Sequence, residues 1–441
     1  MSSSDALIAR FLALHPKTID LSLGRIERLL ERMGSPHRRL PPTIHVAGTN
    51  GKGSTIAFMR GILEAAGLVT HVYTSPHLVR FHERIRIGQP GGGRFVDEER
   101  LVEALRACEA ANRGEPITVF EITTAAALLL FADAPADALL LEVGLGGRCD
   151  ATNVIDDPAA AVVTSIGYDH AEYLGDTIER IAGEKAGIFK RGRPAVIAPQ
   201  DYEAADATLR ERAERAGASP IRVGAQDFSV HEESGRLVYQ DEDALLDLPR
   251  PRLAGRHQFT NAGTAIAALR AAGFSRLPTE AFEAGLTNAE WPGRLQRITK
   301  GRLPALMPPG TELWLDGGHN LDGGRVLAAA MADLEERNGA PLVLVVGMLG
   351  TKDAEGFLAN FAGLARELIA VPMPSQMAAR PAEEVAAIAA RVGFTASTAS
   401  NVEAALASLK DFVWDRPPRV LICGSLYLAG DVLSANGTLP A

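Results

Sequence analysis

Short, nearly continuous apolar runs recur along the chain, and amphipathic stretches separate them. Runs at 43–47, 69–73, 138–143, 160–166 and 194–198 are rich in Val, Ile, Leu and Ala. Runs of this kind, without strict alternation, predict parallel strands covered on both faces. After the first of them, Ile56, Met59, Ile62, Leu63 and Ala66 recur at helical spacing and stop at Gly67, which predicts a helix over 54–66. From about 200 to 252 the texture changes to charged residues, weak periodicity and a hairpin-like piece at 236–239. Beyond Trp291-Pro292-Gly293-Arg294, strand-like runs return at 313–316, 342–348, 368–371 and 420–423, alternating with helical patterns such as 322–338 and 382–392. The Pro-Gly pair reads as a hinge. The pattern therefore predicts an α/β protein of two domains, a large one over 1–293 and a smaller one over 294–441.

Composition narrows the function classes. A chain of 441 residues is long enough for two or three substantial cores. Its 45 Lys and Arg against 54 Asp and Glu leave a formal charge of -9, which argues against a surface built to neutralise a nucleic-acid backbone. Anionic small ligands would need a local basic site instead. Cys108, Cys149 and Cys423 form no C-x-x-C pair, so neither a disulfide framework nor a thiolate zinc site is indicated. The N-terminal stretch has no cationic start followed by an apolar region, and the most apolar run, at 125–132, is far shorter than the ~20 residues that cross a bilayer. A cytoplasmic protein with no membrane or nucleic-acid partner is the expectation.

Between the first predicted strand and the first predicted helix lies VAGTNGKGS, residues 46–54. A P-loop reads G-x-x-x-x-G-K-[ST]; here Val46 stands at the first glycine position and Gly53 separates Lys52 from Ser54. Gly48, Gly51 and Gly53 give the backbone room for a phosphate, the helix start offers N–H groups and a positive dipole end, and Lys52 adds a point charge. The inserted Gly53 turns Ser54 about 100° around the helix, away from the place of a P-loop hydroxyl. Another hydroxyl must then serve the metal. Ser75, Glu142 and His170 each follow a predicted strand, at the carboxyl ends where open α/β sheets bind ligands. Oxygen donors suit Mg²⁺, and a histidine is a possible addition. Lys185, in GEKAGIF, reads on its own as a surface lysine.

Ten words stand in order along the chain, HVAGTNGKGS, YTSPHLVRFHERIRI, FEITTAAAL, LEVGLGGRCDATNVI, VVTSIGYDHAEYLG, GEKAGIF, WPGRLQ, LDGGHN, GMLGTKD and LICGSLYLAGDVL, within a match that runs from about residue 17 to residue 432. Together they resemble the bacterial folylpolyglutamate synthase/dihydrofolate synthase family of the Mur-ligase superfamily, whose phosphate loop carries the same extra glycine. The resemblance implies a Mur-ligase-like P-loop ATPase domain with a parallel sheet, followed by a smaller Rossmann-like α/β domain. It implies an ATP-dependent amide ligase acting through an acyl phosphate, with dihydropteroate, reduced folates and L-glutamate as small-molecule substrates, and a monomer. Carried over by position, it puts Thr49, Asn50, Gly51, Lys52, Gly53 and Ser54 on the phosphates, and Asn261, Arg294 and Asp316 on ATP between the two domains. Ser75 and Glu142 resemble ligands of one Mg²⁺ and His170 of a second, with Lys185 similar to a lysine carbamylated in this family. His319 matches a residue opposite the phosphates. Thr18, Ile19, Asp20 and Leu21 match the substrate loop, while Thr118, Cys149, Asp150 and Ala151 match the pterin pocket. Glu121 is left unassigned.

Three other readings compete with the bifunctional enzyme. A ligase restricted to polyglutamylation would share all of this chemistry. A peptidoglycan ligase would be expected to carry a UDP-binding domain ahead of the loop, and the residues before Val46 are too few for one of ordinary size. A non-catalytic nucleotide switch would have no use for Ser75, Glu142, His170 and Lys185 together.

Overall fold

The computed structural model describes residues 3–15 and 19–440. Thr18 of the expected substrate loop therefore lies outside the described residues. The chain divides into two compact units, one formed by Met1–Arg252 with Phe259–Ala289, the other by Leu253–Gln258 with Glu290–Ala441.

The first unit is built on eight strands: β1 (Thr43–Ala47), β2 (Thr70–Tyr73), β3 (Ile85–Ile87), β4 (Arg94–Phe95), β5 (Ala138–Glu142), β6 (Ala160–Val163), β7 (Ala195–Ile197) and β8 (Ile221–Val223). They lie in the order β4-β3-β2-β5-β1-β6-β7-β8. From β2 to β8 every pairing is parallel, whereas β3 and β4 close one edge antiparallel. All residues of β1, β2, β5, β6 and β7 are buried, which is why their sequences read as unbroken apolar runs. Leu139 and Leu141 of β5 share one core cluster with Ala125, Leu128 and Phe131 of the helix Val119–Ala132. A second cluster joins Ala161 and Val163 of β6 to Ile181 and Ala182 of the helix Ile178–Lys185 and to Leu209. A three-stranded antiparallel sheet, β9 (Phe228–Glu233), β10 (Arg236–Asp241) and β11 (Leu245–Leu248), completes the unit.

The second unit holds β12 (Gln296–Arg297), β13 (Glu312–Leu315), β14 (Leu342–Val346), β15 (Ala365–Ala370), β16 (Thr395–Thr398) and β17 (Arg419–Cys423) in the order β12-β13-β17-β14-β15-β16. Only β12 runs antiparallel. Its core packs Leu344, Val346, Leu368 and Leu421 against Phe357, Phe361 and Val385. Among the described residues no helix is long and apolar enough to cross a membrane.

Candidate active site

The glycine loop leaves the carboxyl end of β1 and enters the helix Lys52–Ala65 through Gly51, whose φ of 88° lies in the left-handed region. A side chain there would also meet Asn261: its Cβ would sit 2.5 Å from Asn261 Oδ1. The positive φ therefore favours glycine, and any side chain there would also displace the Asn261 amide. Hydroxyl residues just past β6 hold the loop in shape. Thr49 N donates to Ser165 O at 2.9 Å, Thr164 Oγ1 donates to Asn50 O at 2.7 Å, and Thr49 Oγ1 lies 3.1 Å from both Gly167 O and Gly167 N. Thr164 and Ser165 were not singled out from sequence. Their position at a strand end, facing the loop of the neighbouring strand, is the signal that could have found them.

Two ammonium groups converge on one loop carbonyl. Lys52 Nζ donates to Gly48 O at 3.1 Å and to Thr49 O at 3.3 Å, and Lys185 Nζ donates to the same Gly48 O at 3.0 Å. Lys185 is buried, contrary to the surface lysine that its sequence context alone suggested. It ends the helix Ile178–Lys185, against which Gly147 packs so closely that a Cβ would sit 2.8 Å from Lys185 O. Burial, reinforced by the nearby Lys52 charge, pushes the Lys185 pKa down to about 7, against the pull of the Asp169 and Asp150 carboxylates.

Glu142 ends β5 directly beside the loop, paired in register with Val46, and its Oε2 accepts the Ser75 N–H at 3.2 Å. Ser75 and Glu142 therefore come together. Ser54, one turn into the loop helix, is buried. His170 sits at φ 55°, its N–H bonded to Asp169 Oδ1 at 2.8 Å, in the segment tied to Thr49 through Gly167. Among the described residues no three His, Cys, Asp or Glu side chains cluster tightly enough to hold a metal alone. One carboxylate with hydroxyl and phosphate oxygens is how Mg²⁺ is commonly bound, so the donor set fits that ion when a triphosphate supplies the rest.

Among the residues expected at the acceptor, Thr118 caps the helix Val119–Ala132 in a reciprocal box with Glu121. Glu121 in turn accepts from Arg25, which also donates to Asp20. Ile19, Asp20 and Leu21 are half-buried, as is Cys149; Ala151 is buried. Asp150 is buried, and its carboxylate accepts from Leu145 N at 2.9 Å, Thr152 N at 2.9 Å and Thr152 Oγ1 at 2.5 Å. Burial raises its pKa, and those bonds oppose the rise. Because Thr152 Oγ1 donates to Asp150, it accepts from His45 Nε2 at 2.8 Å. Burial leaves that imidazole neutral, its pKa pushed down to about 3.

In the second unit, Asp316 follows β13 and is buried, accepting from Leu295 N at 2.7 Å and Gly318 N at 2.6 Å. Burial raises its pKa while the Arg294 guanidinium opposes the rise. His319 Nδ1 donates to Gly317 O at 2.8 Å. Asp316 and His319 thus share the loop beyond β13, and Arg294, just ahead of β12, lies beside that loop at Gly317.

A family model described as the Mur ligase middle domain matches residues 46–269, and one described as dihydrofolate synthetase, C-terminal domain, matches residues 303–435. The dihydrofolate synthase/folylpolyglutamate synthase of Escherichia coli (strain K12) is 35% identical over 422 residues, covering 95% of this chain and 92% of that protein. The E. coli protein solved in complex with DHPP and ADP superposes with a TM-score of 0.87 at 32% identity, covering 98% of this chain and 97% of that one. The bifunctional folylpolyglutamate synthase/dihydrofolate synthase of Yersinia pestis, complexed with AMPPNP and Mn ion, gives a TM-score of 0.86 at 33% identity, covering 99% and 98%.

Proposed function

Because the chain belongs to the dihydrofolate synthase/folylpolyglutamate synthase family of Mur ligases, we propose that it joins L-glutamate to dihydropteroate, and further glutamates to tetrahydrofolates, at the expense of ATP. It is an ATP-dependent ligase. The acceptor carboxylate takes the γ-phosphoryl group of ATP and ADP leaves. The glutamate amine then attacks the acyl carbon, and phosphate departs as the amide forms.

The central physical demand is that anions meet. Thr49, Asn50, Gly51, Gly53 and Ser54 present the loop and helix start to phosphate, and Lys52 supplies the charge. Asn261, against Gly51, is placed for the nucleotide from the first unit; Arg294 and Asp316 are proposed nucleotide contacts of the second. Magnesium, when bound, offsets the charge of the β- and γ-phosphates; Ser75 and Glu142 would hold one ion and His170 a second. Lys185 is suited to carbamylation because its pKa of about 7 leaves much of the amine neutral at physiological pH, and the neutral amine is the form that reacts with CO₂. His319 is proposed to act at the reacting carboxyl. Asp20, Thr118 and the turn carrying Cys149, Asp150 and Ala151 form the proposed acceptor pocket. Asp150, with its oxygens engaged by the turn, contributes by fixing its shape. We read the N-terminal unit as the ATP-binding domain, the C-terminal unit as the glutamate-ligating domain, and the protein as a monomer of the cytoplasm, in keeping with three free cysteines.

The observation that carries this reading is the meeting of Lys52 and Lys185 on a single carbonyl of the glycine loop. Its test is ADP release with magnesium and either dihydropteroate or tetrahydrofolate, with and without glutamate. Glutamate-dependent ADP with both acceptors is expected. Release with tetrahydrofolate alone would mark a ligase confined to polyglutamylation, and no release with either would end the proposal.

A further inference from the structure

One guanidinium joins the two halves of the acceptor pocket. Arg25 Nη1 donates to Asp20 Oδ2 at 2.8 Å and Arg25 Nη2 to Asp20 O at 2.6 Å. Its opposite edge grips Glu121: Nε lies 3.1 Å from Oε1 and 3.0 Å from Oε2, and Nη2 lies 3.0 Å from Oε1. Glu121 Oε2 then accepts the Thr118 N–H at 2.8 Å and the Thr118 hydroxyl at 2.9 Å. An unbroken chain of charge-assisted bonds thus runs from the Asp20 loop to the N-cap of the pocket helix. His15 Nε2 stands 3.4 Å from Asp20 Oδ2 and braces the loop from its other side.

Helix stability does not explain this arginine. Arg25 is the second residue of the helix Gly24–Arg32, where a cation opposes the helix dipole. Glu121 is buried, and Arg25 is largely buried beside it. A buried carboxylate needs such a partner, yet that need would be met by a contact to Glu121 alone. The fork of five donors instead spends two of its bonds on the side chain and the carbonyl of Asp20. A lysine, with a single ammonium, cannot span both sites in this geometry.

We propose that Arg25 is a positioning residue for the acceptor, setting the Asp20 loop against Thr118 and so fixing the width of the pterin pocket. This rests on the assignment of those residues to the acceptor, made above. Arg25 touches neither the nucleotide loop nor the reacting groups, so its loss should raise the KM for dihydropteroate about 10- to 100-fold, as expected for losing charge-assisted bonds, with kcat and the KM for ATP within about two-fold.

The test compares wild type, Arg25→Lys, Arg25→Met, and the pair Arg25→Met with Glu121→Gln, by steady-state ADP release and thermal unfolding. Glutamine at 121 keeps the cap on Thr118 N and leaves no buried charge, so the pair should recover the unfolding temperature of wild type. The elevated KM for dihydropteroate should persist in it and in Arg25→Lys. If the pair regains both stability and KM, Arg25 serves only to neutralise Glu121 and the proposal falls. It falls equally if Arg25→Lys keeps the KM of wild type. Wild type that releases no ADP with dihydropteroate and glutamate would overturn the functional reading itself, a result separate from any ranking of the variants.

Discussion

Lys185 shows how a single buried amine changes the chemistry available at the glycine loop. Nothing in GEKAGIF marks it as buried; the closeness of Gly147, 38 positions earlier, makes it so. Long-range packing of this kind has no local sequence signature, whereas the loop glycines and Lys52 stand out in the sequence because their spacing follows a phosphate-loop pattern. Arg25 was missed for a related reason: it is one of five arginines, Arg25, Arg28, Arg32, Arg38 and Arg39, that sequence alone cannot rank. With a pKa lowered to about 7, Lys185 gains its reactive neutral form as pH rises through that value. Protein stripped of CO₂ at low pH should therefore regain ligase activity on adding bicarbonate, faster at pH 8 than at pH 6, and Lys185→Arg should not respond. An equal response of the variant would remove carbamylation at this site. His45 gives the opposite kind of test, of stability. Its pKa is about 3 in the fold and near 6.5 in an unfolded chain, so between those values the unfolded state holds the extra proton and stability falls as pH drops. One such group gives a slope of about 1.4 kcal/mol per pH unit. His45→Gln, which keeps a donor for Thr152, should flatten that slope by one proton in urea unfolding measured from pH 6.5 to 4.

At the scale of elements, buried strands were the most readable features. The run predicted at 43–47 is β1 to the residue, and the helix predicted at 382–392 is observed over the same span. The helix Glu203–Ala216 was missed because it buries only Ala205, Leu209 and Ala213, a thin stripe of small residues, and covers the rest with charge. Strand Thr395–Thr398 has no buried hydrophobic alternation to betray it: TAST at a sheet edge reads as a loop. Topology was legible only in part, since the antiparallel β3 and β4 depend on a hairpin at the edge of an otherwise parallel sheet. The strand-loop-helix element also makes a prediction. Gly51→Ala places a Cβ at a left-handed φ and within 2.5 Å of Asn261 Oδ1. The backbone strain alone is roughly 1–2 kcal/mol, and the half-buried loop can relieve it by shifting away from the shape proposed to hold phosphate. We expect the KM for ATP to rise about 10-fold or more, with little change in the KM for dihydropteroate. A variant that loses affinity for both substrates together would point to general unfolding of the unit.

The whole molecule is built on separate cores rather than one. The parallel sheet of the first unit carries two clusters of buried residues and the sheet of the second unit carries another, so heat unfolding should depart from a single two-state transition. The change of texture and the second series of strands made two domains legible in the sequence. Its short segment Leu253–Gln258, assigned with the second unit, was not, because six residues between elements carry no pattern that names their partner. Net charge adds a constraint: at -9 the protein holds no general attraction for anions, so nucleotide affinity must come from local groups, and Lys52 with the loop N–H groups is the proposed source. A ligand bound at 100 times its Kd stabilises the unit that holds it by about 2.7 kcal/mol. For a unit of this size that moves a transition by roughly 4–5 °C. A non-hydrolysable ATP analogue with magnesium should therefore raise the transition of the unit carrying the glycine loop, and Lys52→Ala should abolish the shift without lowering the transition of the free protein. Scanning calorimetry at two analogue concentrations makes the measurement. A shift that survives in Lys52→Ala would mean that charge on the loop is not what holds the triphosphate.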